Sequence, residues 1–143
     1  MGYRSLVAYT IRFVSDDDKQ SEQSFNTFLC EAKAKIPALW AGEEDSINEW
    51  LEIDMAKWQF NFHTPHDIKW YPDYDEVKAH MALWDLAREF SEDSECFVVG
   101  QYIEIGENED DVTKKEFGDL EEDYIRLNRE IVCDWVVKWH PDD

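Results

Sequence analysis

Apolar residues recur along this chain with two periods, and the changes of period divide it into elements. Tyr3, Val7, Tyr9, Ile11 and Phe13 fall on one face at a period of two, with Arg4, Thr10 and Arg12 on the other, which predicts a strand. Ser15 and the acids 16–18 end it. Those carboxylates also suit the N–H groups that open a helix, and Phe25, Phe28, Leu29, Ala32 and Ile36 then follow at helical spacing until Pro37. Leu51, Ile53 and Met55 alternate with Glu52 and Asp54, and Trp58, Phe60 and Phe62 alternate with Gln59, Asn61 and His63. The pattern predicts a hairpin turning near Ala56. Pro72, Asp73, Asp75 and Glu76 mark a second helix start, with Val77, Met81, Trp84, Ala87 and Phe90 as its buried stripe. Phe97, Val99, Ile103 and Ile105 predict a strand that stops at Gly106, where a missing Cβ suits a turn.

Residues 107–124 then read as an acidic loop. After it, Ile125, Leu127, Ile131, Cys133, Trp135, Val137 and Trp139 occupy odd positions, broken only by Arg129. They predict one long or bent strand, with a helix through Leu127, Ile131 and Trp135 as the alternative. The order β-α-β-β-α-β-β predicts an α+β fold, with an antiparallel sheet of about five strands and two helices on one face. It is a variant of the ferredoxin-like arrangement, in one acidic domain over residues 1–143.

Composition adds an aromatic core to this picture: seven Trp, six Tyr and eight Phe stand among 43% apolar residues. No apolar run approaches the ~18 residues of a membrane span, and MGYRSLVAYTIRF lacks the layout of a signal peptide, so the cytoplasm is the expected compartment. Three cysteines, Cys30, Cys96 and Cys133, form no C-x-x-C pair, so neither a disulfide framework nor a zinc site is indicated. All three are expected to be reduced and buried, Cys30 and Cys133 on apolar stripes.

Charge changes the picture most. The formal net charge is -20, from 34 acidic and 14 basic residues. Residues 1–40 are neutral, with five of each sign, so the whole excess lies in residues 41–143. It is densest over 92–123, where 13 acids face only Lys114 and Lys115. Direct nucleic-acid binding and an anionic membrane surface are both disfavoured by such a field; a basic partner is favoured.

The candidate site is the set Glu107, Glu109, Asp110, Asp111, Glu116, Asp119, Glu121, Glu122 and Asp123. Three readings stand open. The run can be a solvated loop that only confers solubility. It can mimic nucleic acid, since carboxylates at alternate strand positions lie roughly 6.6 Å apart and can occupy a groove built for phosphates. It can hold a hard cation, although the D-x-[DN]-x-[DN]-G spacing is missing. Of the histidines, His63 and His66 in His63-Thr64-Pro65-His66-Asp67 are the one metal-like grouping, but Pro65 denies them a shared helix face. No metal or other cofactor is expected. His80 reads as a helix-surface side chain and His140 as a tail residue. No G-x-S-x-G elbow or phosphate-binding glycine loop occurs, and no catalytic residue is assigned. Lys69-Trp70-Tyr71 reads either as a cap on the core at a helix entrance or as an exposed aromatic anchor.

Three short motifs carry a resemblance. Met1-Gly2-Tyr3-Arg4-Ser5-x-Val7, Lys69-Trp70-Tyr71 ahead of an acidic helix start, and Ile103-x-Ile105-Gly106-Glu107 followed by Asp110-Asp111 resemble small acidic proteins encoded by tailed bacteriophages. The resemblance implies the cytoplasm of an infected bacterium and a protein that blocks a host enzyme or defence complex. It carries no catalytic residues. The expectation is therefore a non-enzymatic, DNA-mimicking or occluding protein whose partner is a basic host protein, one that normally holds nucleic acid. Two alternatives from other classes are a small metal-dependent hydrolase using His63 and His66 with carboxylates, and a structural or assembly protein. Oligomeric state is left open by the sequence.

Overall fold

The computed structural model describes residues 4–15, 17–40, 46–93, 97–107, 112–118, 125–127 and 131–133. Its central strand is β1 (Leu6–Val14), followed by helix α1 (Asp18–Lys35). Asp17 caps that helix by accepting a hydrogen bond from the Lys19 amide at 3.0 Å, which satisfies one of the open N–H groups of the first turn. Ser21, Phe25, Phe28 and Ala32 are its buried face, spaced by four, three and four residues. The helix stops where the Ile36 amide donates to the Ala32 carbonyl at 2.8 Å and Pro37 can offer no further donor.

Two 3-10 turns, Pro37–Trp40 and Ile47–Trp50, lead into the hairpin of β2 (Leu51–Asp54) and β3 (Gln59–His63). The turn is wider than the alternation predicts. Asp54 Oδ1 accepts from the amides of both Ala56 and Lys57 at 3.0 Å, and Trp58 adopts a left-handed φ of 57° before its carbonyl accepts from Phe13 N. Met55 and Trp58 therefore belong to the turn, with Met55 exposed to solvent. Helix α2 (Asp75–Asp93) and strand β4 (Phe97–Ile105) follow where the periodicity places them.

The sheet order is β2-β3-β1-β4 and then β5 (Val112–Phe117), with every neighbour antiparallel. The first four strands with the two helices have the ferredoxin-like connection, in which β3 lies between β1 and β2. Registers Tyr9↔Phe62 and Tyr9↔Tyr102 put these rings on the face that both helices cover. There Val7, Tyr9, Ile11 and Phe13 pack with Phe25 and Phe28 of α1 and with Leu83, Trp84 and Ala87 of α2. Each fully buried large side chain contributes about 1.5–3 kcal/mol, so this face holds the stability of the fold.

The acidic stretch departs from the expected loop. Val112–Phe117 inside it is the fifth strand, paired along β4 from Ile105↔Val112 to Gly100↔Phe117. Its middle is charged, but its apolar ends reach the sheet. The region after it departs too: instead of one long strand or a helix, β6 (Ile125–Leu127) and β7 (Ile131–Cys133) pair with each other as a separate two-stranded sheet. Arg129, the break in the alternation, lies between them in sequence. Trp135, Val137, Trp139 and His140 fall outside the described residues, as do Tyr3 and Cys96.

The second face of the sheet is also covered. Ala8, Thr10 and Arg12 of β1 are all buried there, and Ala8 and Ile103 form a small apolar cluster with Ile125 of β6 and Cys133 of β7. Cys133 is buried as expected, whereas Cys30 is exposed: two residues beyond Phe28 carry it about 200° round the helix, away from the core.

Candidate functional site

Strand β5 organises the acidic region from within. Phe117 is buried and lies on Gly100, its cross-strand partner, so closely that a Cβ on Gly100 would collide with the ring. The ring also meets Trp84 of α2, edge to face at a centroid distance of 4.8 Å. Next, Gly118 takes φ 77°, a left-handed turn that glycine alone adopts without cost. Lys115 holds the middle of the strand by placing Nζ 5.1 Å from the centre of the Tyr102 ring. Lys114 and Glu116 face the other side, opposite Ile103 and Gln101.

Of the nine candidate carboxylates, Glu107 and Glu116 are within the described residues, and both are exposed. Glu107 follows β4 and Gly106, and its Oε1 accepts from the Arg4 backbone amide at 3.0 Å, tying the start of β1 to the end of β4. Glu116 stands opposite Gln101, four β4 residues or roughly 13 Å of strand from Ile105, with Glu107 two residues further on, so the two sit near opposite ends of β5. Glu109, Asp110, Asp111, Asp119, Glu121, Glu122 and Asp123 lie outside the described residues. Charge is divided in the same way. The described residues hold 18 acids against 12 bases, and the remainder 16 acids against two bases.

A buried polar system, unforeseen in the sequence, lies on the helix side. His80 is fully buried and is no helix-surface residue. Asn48 donates its Nδ2–H to the Ala38 carbonyl at 3.0 Å, so its Oδ1 must accept the bond from His80 Nε2–H at 2.8 Å. Nδ1 of the neutral ring is then the acceptor for the Tyr9 hydroxyl at 2.6 Å. Burial among Tyr9, Phe62 and Trp70 holds this imidazole uncharged, with its pKa pushed down to about 3. Beside it, Trp70 Nε1–H donates to the Tyr102 hydroxyl at 2.9 Å, which donates to Glu104 Oε1 at 2.7 Å. Burial first, and the Glu104 carboxylate second, push the Tyr102 phenol well above its ordinary pKa, and burial does the same for Tyr9. These groups cross-link the sheet, α2 and the 3-10 turn; Trp70 is thereby part of the core and no exposed anchor. A signal was available, since His80 falls three residues after Val77 and four before Trp84, on the buried stripe of α2.

His63 and His66 are not brought together. The register His63↔Ala8 places His63 on the second face, where partial burial lowers its pKa. His66 is exposed and sets its ring edge-on to Trp50 at 5.7 Å, on the rim of the helix-side core. Between them Thr64 is buried, accepting from Val7 N through Oγ1 at 3.1 Å and donating its own amide to the Val7 carbonyl at 2.9 Å. Among the described residues no group of three or more His, Cys, Asp or Glu side chains is arranged to hold a metal ion, and no helix is long and apolar enough to cross a membrane.

Comparison with protein-family models, with curated proteins and with solved structures finds no match.

Proposed function

We propose that this chain is an acidic interaction protein that occupies a basic surface of another protein, of the kind that otherwise holds nucleic acid. One observation carries the proposal: the two acidic runs, 107–111 and 116–123, join the two ends of a hydrogen-bonded strand. Glu107, held on the Arg4 amide, and Glu116, carried by β5, lose little conformational entropy on binding, whereas carboxylates of a flexible tail must be ordered first. The uneven charge supports the same reading, and the resemblance to small acidic bacteriophage proteins supports a bacterial cytoplasmic enzyme or defence complex as the partner.

Salt dependence and charge removal test it together. Captured from a bacterial lysate at low salt, the partner should present a basic contact surface and compete with nucleic acid for it. Affinity should fall steeply with ionic strength, with a log–log slope of about two or more. The triple change Glu109→Gln, Asp110→Asn, Asp111→Asn should weaken binding about tenfold while leaving the urea midpoint in place. An acidic contact surface, or an affinity indifferent to salt, would overturn the proposal.

A further inference from the structure

We propose that Tyr71 and Tyr74 form an aromatic anchor that takes an arginine side chain of the basic partner protein, a contact that rests on the charge-driven binding proposed above. The Lys69-Trp70-Tyr71 motif splits between its two readings: Trp70 is buried, whereas Tyr71 is half-buried and lies against Tyr74 with ring centroids 5.1 Å apart. Tyr74 is 45% exposed. Its amide donates to the Tyr71 carbonyl at 3.0 Å, closing a four-residue turn whose second position is Pro72 with its fixed φ. Both ends of the turn are held. Before it, Trp70 Nε1–H donates to the Tyr102 hydroxyl at 2.9 Å. After it, the Tyr74 carbonyl accepts from the Lys78 amide at 2.9 Å, and Val77 is buried in the core. The pair is thus preorganised on fixed backbone, and little freedom is lost when a guest docks.

Position and charge select the guest. Ile68 exchanges two backbone hydrogen bonds with Ser5, and the amide of the adjacent Arg4 donates to Glu107, the first acid of its run. Two strand spacings and the short segment from Ile68 to Tyr71 therefore place Tyr71 within roughly 20 Å of Glu107, inside the width of one protein interface. Asp73, Asp75 and Glu76 are exposed beside Tyr74, against Lys69 and Lys78, and the two acids of the first helical turn also offset the positive end of α2. A guanidinium suits this setting. It stacks on a tyrosine face, sheds water more readily than an ammonium, and can bond a neighbouring carboxylate in its own plane. A nucleobase would stack as well, but its phosphates would enter the field of a chain with a net charge of -20.

Octa-arginine and octalysine peptides at low ionic strength are the probes. Octa-arginine should bind more tightly than octalysine and shift the Tyr71 and Tyr74 ring resonances of the wild-type chain, labelled on its tyrosines. The Tyr71→Ala, Tyr74→Ala pair should weaken octa-arginine binding about fivefold and abolish the preference. The Tyr71→Phe, Tyr74→Phe pair keeps the ring faces and should stay within about twofold of wild type. Net charge is the same throughout, so the long-range field is held constant. Unshifted tyrosine resonances in the saturated wild-type chain overturn the anchor, independently of how any variant folds. So does an alanine pair that binds as wild type does, and if that binding still weakens with salt the charge-driven reading survives it. An oligothymidine strand that shifts both tyrosines overturns the arginine assignment in favour of a base. Failure of both peptides to bind at low salt overturns the charge-driven reading and the anchor together.

Discussion

Acidification from about pH 6.5 toward pH 3 should strip stability from the wild-type chain through His80, and a His80→Leu variant should lose far less over the same window. The folded ring titrates at about 3 because it is buried, against about 6.5 in the unfolded chain. Between these values the unfolded state binds a proton that the folded state refuses. Stability supplied by the neutral ring is thus complete above pH 6.5, falls by about 3 kcal/mol by pH 4.5, and is lost to the extent of about 5 kcal/mol below pH 3. Such a loss is comparable with the whole stability of a small domain.

Carboxylates work in the opposite sense here. With a net charge of -20, protonating acids relieves self-repulsion, so the wild-type curve alone mixes two effects. The difference between wild type and His80→Leu at each pH isolates the ring. At pH 7 the variant should already be less stable by about 1–3 kcal/mol, because Tyr9 and Asn48 lose their buried partner. Urea midpoints followed by tryptophan fluorescence from pH 7 to 4 should therefore converge as pH falls. Parallel curves would mean that His80 is not held neutral.

The elements that were legible in the sequence are those whose core is contributed by one face of one segment. Tyr9, Ile11 and Phe13 alternate; Phe25, Phe28 and Ala32 recur at helical spacing; both patterns are local and both elements form where they predict. Strand β5 was illegible because its burial is not local. Four of its six residues, Thr113 to Glu116, are exposed, and its two apolar ends mean nothing until Gly100, more than ten residues earlier, is seen to leave room for Phe117. The acids around it concealed the strand by composition. Beyond it, a period of two over residues 125–137 cannot distinguish one strand from two that fold back on each other, and only the charge of Arg129 marked the reversal. His80 was misplaced for a different reason. A histidine on an apolar stripe is a polar residue by composition, and only its partners Tyr9 and Asn48, 71 and 32 residues away, make its burial tolerable.

Of the candidate acids, the sequence identified the run but not its support, and that support can be removed without touching a single charge. Gly100→Val should unseat β5. The new side chain claims the space of the Phe117 ring, which cannot retreat because Trp84 stands 4.8 Å from it. Overpacking at such a site costs about 1–3 kcal/mol, and expelling Phe117 forfeits about 2–3 kcal/mol of burial, so a loss of about 3–5 kcal/mol is expected. Phe117→Ala alone should cost a comparable amount by leaving the pocket under Trp84 empty. Combined, the two changes should be less damaging than their sum, because valine then fills part of the space the ring has left. The coupling in that double-mutant cycle should reach about 1 kcal/mol or more, and additive losses would show that the glycine and the ring are independent. Amide exchange should find the β5 ladder opened in Gly100→Val while β1 and β3 remain protected. If the acids act from a rigid edge, the same variant must also bind its basic partner more weakly at unchanged net charge. Equal binding would mean that charge alone suffices and that the strand beneath it is only a tether.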